Sequence, residues 1–450
     1  MKLLNFLRGE AFQRGVHPPS HKEATADRSI RRLPFAPQLV IPLSQHIGKT
    51  PKSIVRVGQE VVRGQLIARS DDWLSVPHHA PATGVIEAIE LRPSARGPWI
   101  ESIVIRVQAG STQEDLWGKP QDLSNATPQE LLQAIWDSGM VGLGGAAFPT
   151  HAKLTVPKQA HVHTLVVNGC ECEPFLTCDH RVMVEEADAL MAGIRYGMRA
   201  TSAVRTIIGV EDNKPDAVKA IQTAIDKIGA TDIFVEAVPT KYPQGSEKML
   251  IMALFGVEIP SGGLPVSLGM VVNNVGTLAA LGKLLPAGRG LTERVVTVTG
   301  PGVARPGDYR VPLGTPLKFV LDYAGAEVDS RQVIMGGPMM GQSAASLDVP
   351  ITKGVSGVLV LRGEDIAERE QRVVYPCIKC GECVESCPMG LNPSILGMLA
   401  SRRDYEPMGS HYHLGDCFEC GCCTYVCPSN IQLAQQFRIA KQVLRERATA

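Results

Sequence analysis

Residues 163–239 contain, in order, "HTLVVNG" (163–169), "DALMAGIRYGMRA" (188–200), "VRTIIGVE" (204–211), "PDAVKAIQTAIDKIG" (215–229) and "DIFVEAVP" (232–239). The first, third and fifth are short apolar runs of strand length, while the second and fourth repeat their apolar residues at helical spacing. Alternation of this kind predicts βαβ units and a parallel sheet, since parallel neighbours need a long crossover between them. Upstream, Thr127, Pro128 and Glu130 spell a helix start: an N-cap, a proline at the first helical position and a capping-box glutamate. That helix, "PQELLQAIWDSG" (128–139), delivers the chain to "VGLGGAAFPTHAKL" (141–154). Gly142, Gly144 and Gly145 leave backbone N–H groups open to an anion such as a phosphate, and Lys153 supplies a counter-charge. The stretch is neither G-x-G-x-x-G after a strand nor a Walker A loop, so a tight packed turn is the competing reading.

Around this α/β centre the chain changes character. From 33 to 110, β-branched runs such as "SIVRVGQEVVRGQLIA" (53–68) and "ESIVIRVQ" (101–108) are cut by Gly and Pro every ~8–12 residues, which predicts a small all-β sandwich or barrel. Its halves "VGQEVVRGQLIA" and "APATGVIEAIE" resemble the barrel-sandwich hybrid of biotinyl and lipoyl carriers. No lysine sits on the turn between them, so a structural or docking role is expected. Residues 1–32 form an N-terminal segment and 110–126 a polar linker. The α/β unit runs over 126–290, a small β-grasp-like unit over 291–350, and helices carrying the cysteine motifs over 366–450. The expected architecture is thus multidomain, α/β plus β.

Of the twelve cysteines, three lie at 170–178 and nine between 377 and 427. Such clustering points to metal ligation in a reducing compartment and away from a disulfide framework. "CIKCGECVESCP" and "CFECGCCTYVCP" each have C-x2-C-x2-C-x3-C-P spacing. In two-cluster ferredoxins the fourth cysteine of each run ligates the other cluster. Cys377, Cys380, Cys383 and Cys427 are then expected to hold one 4Fe–4S cluster, and Cys417, Cys420, Cys423 and Cys387 the second. A pair of zinc ribbons would use neither the third CxxC step nor the trailing Cys-Pro. Cys422 fits neither series and reads as a small buried thiol; His411 and His413 read as caps or solvent-facing groups.

Lysine plus arginine equals aspartate plus glutamate, 45 each, so the basic field of a nucleic-acid binder is absent. No uninterrupted apolar run approaches the ~18 residues of a membrane span. The opening "MKLLNFLRGEAFQRG" lacks a cleavable leader pattern, so a cytosolic chain, at most peripheral to a membrane, is expected.

The glycine loop, "NGCECEPF" (168–175), "KYPQGSEKMLI" (241–251) and "VVNNVGTLAAL" (271–281) together resemble the flavin- and NADH-binding subunit of respiratory complex I. Adding "GVHPPSHK" (15–22), "VVTVTG" (295–300), "GGPMMG" (336–341) and the two cysteine motifs, nearly the whole chain is similar to the C subunits of Rnf electron-transport complexes. The resemblance implies a Rossmann-like domain with noncovalent FMN, NAD(H) as substrate, an SLBB domain of β-grasp type and a two-cluster ferredoxin domain. It implies FMN contacts from Gly142, Gly144, Gly145 and Lys153, and polar contacts to the flavin from Asn168, Asn273, Asn274 and Thr277. Glu171 and Glu173 match paired acidic positions near the ribityl and nicotinamide, Phe148 a stacking position, and Tyr242 and Glu247 the third segment. Cys170 departs from the pattern where complex I has aspartate, and Arg14 interrupts the doubled glycine expected before "VHPP".

The resemblance further implies an ion-translocating ferredoxin:NAD oxidoreductase, a translocase, on the cytoplasmic side of the bacterial inner membrane. Its partners would be the other subunits and, through them, ferredoxin or flavodoxin. The competing readings are a soluble flavin and iron–sulfur corrinoid reductase, and a cluster-only docking or relay protein that binds no nucleotide. Nicotinamides move electrons in pairs and cubane clusters move them singly, and a flavin can do both.

Overall fold

The computed structural model describes residues 12–95, 97–326, 333–362 and 373–449. Residues 1–11, 96, 327–332, 366–372 and 450 of the expected segments lie outside the described residues.

The chain starts as β1 (Arg31–Arg32) and then builds two small antiparallel sheets. One joins β2 (Gln38–Pro42), β4 (Glu60–Val61), β7 (Gly84–Pro93) and β8 (Trp99–Val107); the other joins β3 (Lys52–Ser53), β5 (Leu66–Arg69) and β6 (His78–His79). Their inner faces share Leu39, Ile41, Ile67, Ile86, Ile103 and Ile105, all buried. This is the barrel-sandwich unit.

Helix α1 (Pro128–Asp137) begins with the expected capping box: the Thr127 hydroxyl accepts from Glu130 N, and Glu130 accepts from Thr127 N at 2.7 Å. α2 (Thr150–Leu154) follows the glycine loop. Then β9 (Thr164–Gly169), β10 (Arg205–Glu211), β11 (Ile233–Val238) and β12 (Met270–Asn274) form a wholly parallel sheet in the order β11-β10-β9-β12. Its crossovers are α3 (Cys178–Glu185), α4 (Ala187–Thr201), α5 (Pro215–Lys227) and α6 (Glu247–Phe255), and α7 (Val275–Ala287) leaves β12. The small faces of Gly193 and Gly282 let α4 and α7 touch: a Cβ on Gly193 would lie 1.8 Å from Leu278 O, and one on Gly282 1.9 Å from Ala189 O.

The chain moves outward from β9 to β10 and β11, then returns to the far side of β9 as β12. The carboxyl ends of β9 and β12 are therefore a topological switch point, where open α/β sheets keep their ligand crevice.

A six-stranded mixed sheet follows, built from β13 (Glu293–Thr299), β14 (Gly307–Pro312), β15 (Val333–Met335), β16 (Gln342–Ser343) and β17 (Gly357–Val360), with α8 (Leu317–Ala324) over its core. It recruits β1 beside β14 and closes on β17, so it reaches beyond residues 291–350 in both directions along the sequence. The last module packs helices Pro393–Ser401 and Leu433–Thr449 around Leu396, Leu433, Phe437 and Ala440. Among the described residues no helix is long and apolar enough to cross a membrane.

Candidate functional site

Asn168 lies near the end of β9 and Asn274 ends β12, and the two are register partners across the switch point. The glycine loop lies over this edge: Leu143 N donates to Thr277 Oγ1 at 2.9 Å, and Thr277 N donates to Asn274 Oδ1 at 3.1 Å, capping α7. Gly144 and Gly145 are exposed, and a Cβ on Gly144 would meet Asn274 at 3.3 Å. Gly145 has φ +111 with open space where a side chain would stand. Lys153, from α2, pairs with Glu247 at the start of α6. Asn168 Nδ2 donates to Gly245 O at 2.7 Å. Phe148, half-buried, closes the loop, its carbonyl accepting from Gly142 N at 2.8 Å.

Buried polar atoms with no protein partner include Asn273 Nδ2 near the end of β12, Gln244 Nε2 and Oε1 beside Gly245, and Thr150 Oγ1 and His151 Nδ1 on α2. Buried polar groups are paired as a rule, and unpaired ones near the carboxyl ends of the strands suit a polar ligand. An open glycine loop, a lysine and unpaired amides form a donor set suited to FMN.

The two acidic positions are engaged differently. Glu171 accepts from Asp179 N (2.9 Å) and His180 N (3.1 Å), neutralising the N-terminus of α3. Glu173 accepts from Met339 N (3.0 Å) and Met340 N (2.8 Å) of the "GGPMMG" loop, and burial pushes its carboxyl up to about 7. The Tyr242 hydroxyl donates to Cys420 O on the cysteine module at 2.7 Å.

Sequence reasoning passed over several residues. Lys22 of "GVHPPSHK" buries its ammonium on the carbonyls of Glu171 (2.8 Å), Glu173 (2.9 Å) and Leu176, fixing the segment that carries both glutamates. Buried Arg294 donates to Leu143 O (3.1 Å) and Lys353 O (2.5 Å), so it supports the glycine loop from behind. Lys353 reaches Pro77 O (2.9 Å) and Gly139 O (2.7 Å), joining three domains, and burial lowers its ammonium to about 7. Nothing in local sequence distinguishes these cations, because their partners are distant carbonyls.

A cavity of about 770 Å³ lies on the back of the loop, between α3, α7, β13 and the barrel-sandwich unit. Four of its basic residues are matched by carboxylates, Glu293 binding Arg32 and Arg63 and Glu186 binding Lys283 and Arg310, while Arg294, also in its wall, is held by carbonyls. It is better described as an ionic seam between domains than as the mouth of the crevice.

The cysteine motifs fold into two matching turns. Lys379 and Glu419 take φ 58 and 63, Gly381 and Gly421 take φ 88 and 84, and short helices Glu382–Glu385 and Cys422–Tyr425 follow. Burial raises the Cys383 thiol, and the neighbours that add to it are Cys380, Cys427 and Cys377. Burial likewise pushes Cys417 up to about 11, with Cys420 and Cys387 adding to it. These neighbours match the crossed pairing expected from the spacing. Cys387, Cys417, Cys420 and Cys423, with Cys422 and Glu419, line one hollow whose apolar wall includes Leu391, Leu396 and Phe437. The four thiols at the motif's ligand positions have the donor chemistry of a 4Fe–4S cube. Cys422 is fully buried beside Val16 and Tyr242 and lines the same hollow as a fifth thiol, next to its neighbour Cys420.

A crevice suited to a phosphate-bearing ring on one module, joined to two cysteine turns of matching backbone on another, is the arrangement of a flavin and iron–sulfur electron-transfer protein. Comparison with known proteins agrees module by module. Residues 10–109 match the RnfC barrel sandwich hybrid domain, 135–283 the Nuo51 FMN-binding domain, 295–343 the SLBB domain and 376–431 the 4Fe-4S dicluster domain. The C subunit of the proton-translocating ferredoxin:NAD(+) oxidoreductase complex of Clostridium ljungdahlii is 39% identical over 412 residues, covering 90% of this chain and 88% of that one. The Na(+)-translocating counterpart of Acetobacterium woodii is 37% identical, covering 89% of each. The C subunit of an ion-translocating oxidoreductase complex of Haemophilus influenzae is 39% identical over 96% of this chain, which spans 64% of that longer relative. The chain therefore belongs to the family of C subunits of the Rnf ion-translocating oxidoreductase complexes, and it is an oxidoreductase subunit with FMN and 4Fe–4S modules. A solved NAD+-reducing [NiFe]-hydrogenase chain shares the fold at 22% identity and a TM-score of 0.50, over 69% of this chain and 63% of that one.

Proposed function

We propose that this chain exchanges electrons with NAD(H) at the β9/β12 crevice and relays them singly through its two-cluster module to a partner in a membrane-bound complex. Bound FMN supplies the conversion between paired and single electrons. The observation that carries the reading is the exposed glycine loop, bonded through Leu143 and Thr277 to Asn274, lying over the β9/β12 switch point.

In this reading the N–H groups around Gly142, Gly144 and Gly145 and the Lys153 ammonium take the anionic part of FMN, with Glu247 orienting the lysine. Asn168, Asn273, Asn274 and Thr277 contact its polar edges, and Phe148 stacks on the nicotinamide partner. Glu171 and Glu173 act one step back, by holding the N-terminus of α3 and the 336–341 loop. Cys377, Cys380, Cys383 and Cys427 hold one cluster, and Cys417, Cys420, Cys423 and Cys387 the other. The complex would lie on the cytoplasmic face of the bacterial inner membrane, with ferredoxin or flavodoxin at its far end. The domain limits 1–32, 33–110, 126–290, 291–350 and 366–450 belong to the same proposal.

FMN titration tests it. Lys153→Gln removes a charge-assisted contact, so FMN affinity is expected to fall by about tenfold or more while iron content stays at the parent value. Equal affinity in parent and variant would remove the glycine loop from the flavin site.

A further inference from the structure

The stretch Tyr242–Glu247 touches both cofactor regions. At one end Glu247 pairs with Lys153, and Gly245 O accepts from Asn168 Nδ2 at 2.7 Å. At the other, the Tyr242 hydroxyl donates to the carbonyl of Cys420 at 2.7 Å. Tyr242 is 1% exposed, packed on Val16 and Cys422, and its backbone exchanges two hydrogen bonds with Val16, both 2.9 Å.

Other contacts hold the same ligand loop on the same side. Asp416, next to Cys417, accepts from Ser261 Oγ and from Gly262 N (3.1 Å), and pairs with Lys248 (3.5 Å). Gly421 lies under Met339, where a Cβ would come within 3.0 Å of Met339 O. Met339 is itself held by Glu173. A phenol carries one hydrogen, and in Tyr242 that hydrogen lies on the cluster loop, leaving none to donate to a flavin.

We infer that Tyr242 is a positioning residue: it fixes the Cys417–Cys423 ligand loop against the flavin domain, making this loop, and not the one at Cys377–Cys383, the side of the two-cluster module that faces the crevice. The inference rests on the function proposed above and assigns the orientation of that module within it. Electron transfer weakens steeply with separation, so a hydrogen bond that sets the loop's position acts on rate without touching either redox group. Cys377 and Cys380, by contrast, lie exposed.

The test is Tyr242→Phe in the full chain, reconstituted with iron, sulfide and FMN. FMN and iron contents should match the parent, while backbone amides of 417–423 exchange about tenfold faster and cluster reduction after mixing with NADH slows by a similar factor. Unchanged exchange and rate would overturn the inference. So would loss of FMN with the cluster loop unaffected, which would return Tyr242 to the flavin. The exchange measurement needs no flavin; a parent chain that takes up iron but no FMN would therefore sink the proposed function while leaving the test of Tyr242 intact.

Discussion

The two cysteine turns share spacing and backbone, yet they sit in different surroundings. Residues 373–380 are all exposed, Ile378 by 67%, whereas Gly421, Cys422 and Cys423 are buried. The residues between the ligands carry the difference. Where the first turn has Ile378, Lys379 and Glu382, the second has Phe418, Glu419 and Cys422. Ligand spacing dictates the turn; the intervening side chains decide which turn docks on the flavin domain and which faces outward.

The comparison breaks most sharply if one side chain is exchanged. Cys422→Glu places in the second turn the residue that the first carries at Glu382. It would bury a carboxylate among Val16, Tyr242 and Cys172, while the Lys241 ammonium nearby is already committed to Phe12 O at 2.7 Å. A poorly compensated buried charge costs on the order of 3–5 kcal/mol. Urea unfolding should show that loss, and limited proteolysis should release the cysteine module. The reverse change, Glu382→Cys, lies in the outward-facing turn and should stay within about 0.5 kcal/mol of the parent. Equal effects of the two would mean that the turns are docked alike.

A smaller effect separates the turns by pH. The buried turn rests on Met339, whose amide Glu173 holds, and burial raises the Glu173 carboxyl from 4.5 to about 7. Below pH 4.5 the proton is bound in both folded and unfolded chains. Between 4.5 and 7 the folded chain keeps a proton that the unfolded chain has released, so this group's contribution to stability falls as pH rises through that window and levels off above it. The slope cannot exceed about 1.4 kcal/mol per pH unit for one proton. Glu173→Gln should flatten the pH dependence of the unfolding midpoint between about pH 5 and 7; an unchanged slope would assign it to other carboxyls, with Asp179 and Asp308 also raised to about 7.

What the sequence disclosed divides along similar lines. The parallel sheet, the capping box at Thr127 and the paired cysteine turns of a dicluster module are written in local periodicity and spacing, and they were legible. The long-range partners were not. β1 joins a sheet whose next strand lies some 275 residues later, and Lys22, Arg294 and Lys353 hold carbonyls of distant loops. Backbone carbonyls carry no side-chain signature, so a lysine that binds three of them reads as an ordinary surface lysine. Tyr242 was legible as a member of a flavin-associated segment, but the direction of its hydroxyl depends on where a module some 180 residues later docks.

The finest test of the two turns lies at the position just after their first cysteine. Ile378 presents an isoleucine to solvent, so Ile378→Thr removes little buried area and should shift stability by less than about 0.5 kcal/mol, with iron content unchanged. Phe418, at the matching position, is half-buried, and Phe418→Thr should cost about 1 kcal/mol through lost apolar burial. Parallel urea titrations of the two variants resolve a gap of that size. If the gap vanishes, the hydrophobic content of the loops does not distinguish them, and docking of the second turn rests on Tyr242, Asp416 and Met339 alone. A gap larger than expected would extend the docking surface to Phe418 and place the whole turn, from its first ligand to its last, against the flavin domain.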